Sequence, residues 1–224
     1  VWKDRGYAID QDLKRSQPNV RHHDFIRSVH DANTGIMGID RAVENLYATG
    51  YMHNHNRMYT AAVTCNQGGA HWKQPARWMY YHLLDGDWAS NALSWQWVGG
   101  SNASKKYIAN QDNVNKYTFT KQKGTFLDVS YETLALLDLP IELSERLELQ
   151  LETPLPQATT LHVDTDLPTA VYNYYNIDPE WLSDTLMNRI MLWEPVTFRQ
   201  YPIGQKAVNF ALDLSKNIPS MQLF

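Results

Sequence analysis

The chain is nearly devoid of cysteine: Cys65 stands alone among 224 residues, which excludes an internal disulfide framework and fits a reducing cytoplasm. It has no apolar run long enough to span a bilayer and no charged-then-apolar opening segment, so no membrane association is expected. Positive charge is scarce as well. Twenty Lys and Arg face 24 Asp and Glu, and the net charge of -4 speaks against a dedicated nucleic-acid binder. The average hides a contrast, because Lys105, Lys106, Lys116, Lys121 and Lys123 are opposed only by Asp112, whereas the stretch 128–152 carries seven acids and Arg146. A local basic surface therefore survives. Metal-ligand spacing is missing too. His53 and His55 lie two apart and point away from each other on a helix, and the adjacent His22 and His23 read as a solvated loop, so no metal site is expected.

What the chain does have is a 43% hydrophobic content, eight tryptophans and thirteen tyrosines, the composition of a globular protein of one or two domains. Residues 1–16 suggest a helix through Trp2, Ile9 and Leu13, and Phe25 to His30 a short helical turn. Ile39, Val43, Leu46 and Tyr47 repeat at helical spacing and end at Gly50, where a left-handed residue is wanted. A second helix follows from about Met52 to Cys65, with Asn54, Arg57, Met58 and Ala61 on one stripe. Pro75 sits in the first turn of a third helix that carries Trp78, His82 and Asp85 on one side. The polar stretch 107–123 lacks a clean period and reads as loop with a short helix; 127–137 reads as a last helix, ended by Pro140.

From Pro154 the character changes. Leu161 to Val163 and Arg189 to Trp193 read as strands, Trp181 to Arg189 as a short helix, Gln205 to Asn217 as an amphipathic helix and Met221 to Phe224 as a strand. Strand, helix, strand predicts a parallel pair with a crossover. The expected architecture is thus mainly α: a helical domain over 1–150, followed by a partial α/β, βαβ-like segment over 154–224.

The segment Asp85-Gly86-Asp87-Trp88-Ala89-Ser90-Asn91-Ala92-Leu93-Ser94-Trp95-Gln96-Trp97 organises the rest. As a helix capped by Asp87, it puts Asp87, Asn91 and Trp95 four residues apart, so that a carboxylate, an amide and an indole share a face too polar for ordinary core.

Together with Gly50-Tyr51-Met52-His53-Asn54-His55-Asn56-Arg57-Met58, Thr34-Gly35 with Asp40, and Ala48-Thr49-Gly50, this segment closely resembles the FAD-binding helical domain of the photolyase/cryptochrome family over residues 30–100. The resemblance implies an all-helical FAD-binding domain. It assigns Asn91 to flavin N5, Asp87 to the pyrimidine edge, the Arg57 and Asp85 pair to the side near C4a, and Asn54 to a polar contact with flavin and substrate. Trp97 and Met58 match positions that pack against a flipped-out dimer. Trp95 and Trp72 match the first two members of the family's tryptophan relay, while the third position falls on Asn19. Asn91, with Asn54 and Met58 in place of the histidines of (6-4) enzymes, looks like the cyclobutane-dimer side of the family. His55 and Ala109 stand where many relatives carry arginine.

What this implies is repair of pyrimidine dimers in damaged DNA by light-driven electron transfer from reduced FAD. A cryptochrome-type receptor signalling through a protein partner and a flavin-less scaffold are the alternatives. In the family a phosphate-gripping loop and a Glu-containing helix lie upstream of the point matching Val1, and its α/β domain precedes the helical one. The sequence therefore reads as a fragment, or as one of two chains that complete an FAD site together.

Overall fold

A computed structural model of the chain describes residues 10–181 and 184–224. It divides into two compact units, Val1–Gln150 and Leu151–Phe224. The expected helix over 1–16 falls largely outside the described residues; from Asp10 to Ser16 the backbone runs through turns and bends instead. Side-chain amides hold this segment. Gln96 accepts the Leu13 N–H at 3.1 Å and donates to the Gln11 carbonyl at 3.2 Å, both without any exposed surface of its own.

The first unit is built of helices around a short β pair. Phe25–Ile26 (β1) pairs antiparallel with Arg146–Leu147 (β2), so the unit is not all-helical, and only Arg27–His30 (α1) forms the expected helical turn. Met37–Thr49 (α2) buries Ile39, Val43 and Leu46 at helical spacing and stops at Gly50, whose φ of 76° is left-handed. A side chain at Gly50 would also meet Leu84 Cγ at 2.5 Å, so both conformation and space require glycine. Ahead of α2, Asp40 accepts the Thr34 N–H and O–H at 2.8 and 2.6 Å and the Gly35 N–H at 3.1 Å, which gives the Thr34-Gly35 and Asp40 pattern a local structural purpose.

Asn54–Ala62 (α3) continues as a π-helix over Val63–Gln67, two residues past the expected end. Lys73–His82 (α4) ends before Asp85, which is reached through an irregular link and not along the helix side. Trp88–Gly99 (α5) is the central helix: it buries residues on nearly every side and packs against both α3 and α4. Gln111–Thr118 (α6) and Tyr131–Ala135 (α7) complete the unit, the latter shorter than the sequence suggests.

In the second unit Thr169–Tyr172 (β3), Asn188–Met191 (β4) and Met221–Leu223 (β5) form a parallel sheet in that order. Pro195–Gln200 (α8) and Gln205–Ser215 (α9) connect β4 to β5, which bears out the parallel pair with a crossover. Leu161 to Val163 is not a strand, and β3 had no counterpart in the sequence reading. Of the helix expected from Trp181 to Arg189, Leu182 and Ser183 lie outside the described residues; 184–187 is not helical and 188–189 belongs to β4. Phe210 is half exposed, and α9 turns Ala207, Val208 and Ala211 inward.

Candidate functional site

Two helical stripes face each other in the first unit. Asn54, Arg57, Met58 and Ala61 follow the i, i+3, i+4, i+7 pattern on α3. Asp87, Ser90, Asn91, Ser94, Trp95 and Val98 continue the same periodicity from the cap of α5 through three turns. With the Leu83 to Gly86 link they enclose a cavity of about 480 Å³, within the roughly 300–1,000 Å³ usual for small-molecule sites. Every residue assigned to cofactor or substrate from the sequence lines it: Asn54, Arg57, Met58, Asp85, Asp87, Asn91 and Trp97, with Trp95 from the relay. The sequence reading missed Leu83, Ser90, Leu93, Ser94 and Val98. Extending the Asp87, Asn91, Trp95 ladder by its i+3 neighbours would have found Ser90, Ser94 and Val98.

Several of the polar side chains are held by hydrogen bonds. Asn91 is buried, and its Nδ2 donates to the Ala76 carbonyl of α4 at 2.7 Å, while no described residue donates to its Oδ1. Asp87 caps α5, accepting the Ser90 N–H on Oδ1 at 2.7 Å. Arg57 donates from Nε to the Met52 carbonyl at 2.7 Å and from one terminal nitrogen to both oxygens of Asp85 at 2.9 and 2.8 Å. The Arg57 guanidinium also lies 5.7 Å from the Tyr51 ring centre. Leu83, Leu93, Val98 and Met58 supply apolar wall between these groups. A flat ring system with a polar edge fits such a lining, with one free carbonyl acceptor, two carboxylates and one fixed positive charge around it.

Trp72 does not line the cavity. It is fully buried at the N-terminus of α4, where its Nε1 donates to Asp12 Oδ1 at 2.7 Å. Asn19, at the third relay position, is exposed with a φ of 60°.

At the cavity rim Trp97 is 44% exposed and lies 5.5 Å from Tyr107. Near the start of α3 the rings of His53, His55 and Tyr117 stack, at 5.4 and 4.3 Å between successive centres. The expectation that the two histidines point apart fails because His53 is the cap of α3, with an extended ψ of 142°, and not a residue within the helix. No cluster of metal-ligating groups occurs among the described residues. His22 departs from the solvated loop foreseen for it: it is buried, its ring nitrogens engage the Asp24 and Gly68 carbonyls, and burial lowers its pKa. The lysine-rich stretch is partly neutralised, since Lys123 pairs with Asp112 at 2.9 Å and approaches Asp128 at 3.6 Å.

Residues 5–129 match the family model for the FAD binding domain of DNA photolyase, more than half of the chain. The chain belongs to the photolyase/cryptochrome family. The cofactor of this family's domain is FAD. Among similar photolyase-family proteins, the deoxyribodipyrimidine photo-lyase of Escherichia coli is 31% identical over 101 residues, covering 45% of this chain and 21% of the relative. That of Streptomyces griseus is 35% identical over 110 residues, 45% of this chain and 24% of the relative. The chloroplastic/mitochondrial cryptochrome DASH of Ostreococcus tauri is 29% identical over 116 residues, 52% of this chain and 20% of the relative. The matched stretch thus spans about a fifth to a quarter of these relatives' length. The family match ends before the second unit begins. No helix among the described residues is long and apolar enough to cross a membrane.

Proposed function

We propose that the chain is the flavin-holding part of a photolyase-like repair protein, with the isoalloxazine ring of FAD between the α3 and α5 stripes and a pyrimidine dimer of damaged DNA at the rim. The observation that carries this reading is the convergence of Asn54, Arg57, Asp85, Asp87 and Asn91 on one cavity backed by Trp95. Asn91, its amide nitrogen tethered to Ala76, presents its oxygen to N5; Asp87 takes the pyrimidine edge; Arg57, aligned by Asp85, puts a fixed positive charge near C4a. Bound there, FAD would supply blue-light absorption and one-electron transfer to the dimer.

The protein's own part is to orient, to exclude water and to provide charge. Leu83, Leu93 and Val98 supply the apolar part of the wall, and Met58 and Trp97 offer packing for two joined neighbouring bases of one strand turned out of the duplex. Where many relatives carry arginine, His55 stacks on Tyr117, a surface better suited to ring stacking than to gripping phosphate. With oxidised FAD bound, Trp95 and Trp72 would be the residues that supply it with electrons. FAD-loaded protein that is yellow and clears dimers from DNA under blue light supports this reading; loaded protein that bleaches and recovers without clearing dimers would overturn it in favour of a light receptor. The similarity to a cryptochrome DASH favours the light-receptor alternative.

A further inference from the structure

We propose that the Asp12 carboxylate is the base that takes the Nε1 proton of Trp72 when this tryptophan is oxidised, so that the hole rests there as a neutral radical. The proposal deepens the relay reading of Trp95 and Trp72 and rests on it.

Trp72 has no exposed surface, so water cannot take its proton directly. Its one polar side-chain atom donates to Asp12 Oδ1 at 2.7 Å, a charge-assisted hydrogen bond of near-ideal length. The carboxylate is locked in place: Asp12 Oδ2 accepts the Gln17 N–H at 2.9 Å, and Gln17 in turn accepts the Trp72 backbone N–H at 2.8 Å and donates to the Ala70 carbonyl at 2.9 Å. Indole and base are therefore held by one network before any oxidation takes place.

Loss of an electron turns the indole into a cation whose N–H is far more acidic than before, and a buried cation without a counter-charge is costly. The balance is simple. With FAD bound, oxidised and photoexcited, Trp95 would give up one electron to it, Trp72 would give one to Trp95, and the Nε1 proton of Trp72 would cross to Asp12 Oδ1. The pair ends as a neutral indolyl radical and a carboxylic acid, with the negative charge of Asp12 having cancelled the positive charge of the hole. Return of the electron then requires return of the proton, and recombination slows.

The surroundings fit such a resting place. Asn19, where the resemblance puts the next relay member, is an exposed amide at a turn and carries no hole. His71 Nε2 lies 3.6 Å from Asp12 Oδ1, and the His71 ring stacks at 4.8 Å on exposed His23. Its Nδ1 accepts the Lys73 N–H at 3.3 Å and burial holds its pKa below the usual value, so the neutral ring carries its proton on Nε2, facing Asp12, and the transferred proton stays on the carboxylate.

The test is flash excitation of the full chain loaded with oxidised FAD, with time-resolved absorption and electron paramagnetic resonance to distinguish neutral from cationic indole radicals. Wild type should give a neutral radical whose formation slows in heavy water. Asp12→Asn keeps a hydrogen-bond acceptor but no base, and should give the cation with a lifetime shortened about tenfold or more. Asp10→Asn removes the same charge beside Trp88, whose Nε1 donates to Asp10 at 3.0 Å, and should leave the Trp72 radical neutral. A neutral radical formed equally fast in Asp12→Asn, or the same loss in Asp10→Asn, overturns the proposal. If Asp12→Asn folds poorly, the heavy-water comparison on wild type decides, equal rates counting against a proton transfer. An undiminished radical yield in Trp72→Phe would instead overturn the relay reading itself.

Discussion

Asn91 of α5 and Ala76 of α4 are joined across the two helices, the side-chain amide of one donating to the backbone carbonyl of the other at 2.7 Å. That bond fixes which atom Asn91 turns toward the cavity, because with Nδ2 engaged the oxygen is left for whatever ring lies there. One buried side chain thus couples helix packing to the site, and the two contributions separate by measurement. Asn91→Ala should lower the unfolding free energy by about 1–2 kcal/mol in a denaturant titration. It should also shift the reduction potential of bound flavin. A shifted stability with an unaltered potential would remove Asn91 from contact with the ring.

Arg57 and Asp85 behave differently. Their side chains are 24% and 54% exposed, so the pair is a rim ion pair of the kind that contributes about 0–1 kcal/mol to folding. Its value lies in aiming a guanidinium into the cavity. Arg57→Lys should therefore melt within a few degrees of wild type yet retain less FAD after gel filtration, because a lysine cannot reach the Met52 carbonyl and Asp85 together. Equal flavin content in the two proteins would show that the fork geometry is irrelevant to binding.

Asp40 carries three donors, from Thr34 and Gly35, at the entry to α2. Thr34 is fully buried, so its N–H and O–H have no water to fall back on. Asp40→Ala should cost about 2–3 kcal/mol, since it strands buried donors that were bonded to a charged acceptor. Flavin content measured at a temperature where the variant is fully folded should be unchanged. Loss of flavin from the folded variant would mean that this turn reaches the site.

The helices that line the cavity were legible in the sequence because their signals are local. Gly50 marks one end, Asp87 marks one start, and the ladder from Asp87 to Trp95 repeats every four residues. What escaped depends on contacts distant in sequence. The strand at Phe25 exists only because Arg146 and Leu147 lie beside it, more than a hundred residues on. Segment 10–17 is held by Gln96 and Trp72, and no periodicity within eight residues announces such partners. The His53 and His55 stack was misjudged by two residues of helix boundary, since a cap and an interior residue aim their side chains differently. In the second unit the exposed edge β3 alternates buried and exposed residues over only four positions, too short a pattern to stand out.

His82 leads to a prediction about acid. Its ring packs at 4.7 Å from that of Tyr47 and 6.0 Å from that of Trp78, and burial, with His30 nearby, pushes its pKa down to about 4. Burial lowers the pKa values of His22 and His71 as well. All three are more readily protonated in the unfolded chain, so between the ordinary value of 6.5 and about 4 the unfolded state binds more protons and stability falls as the pH falls. For His82 the full loss is on the order of 3 kcal/mol. Urea midpoints measured at pH 7, 6 and 5 should therefore decline for wild type, and decline less for His82→Phe, which keeps the aromatic packing and removes the titration. Parallel curves for the two proteins would place the acid sensitivity on other groups, with His22 and His71 next to be substituted.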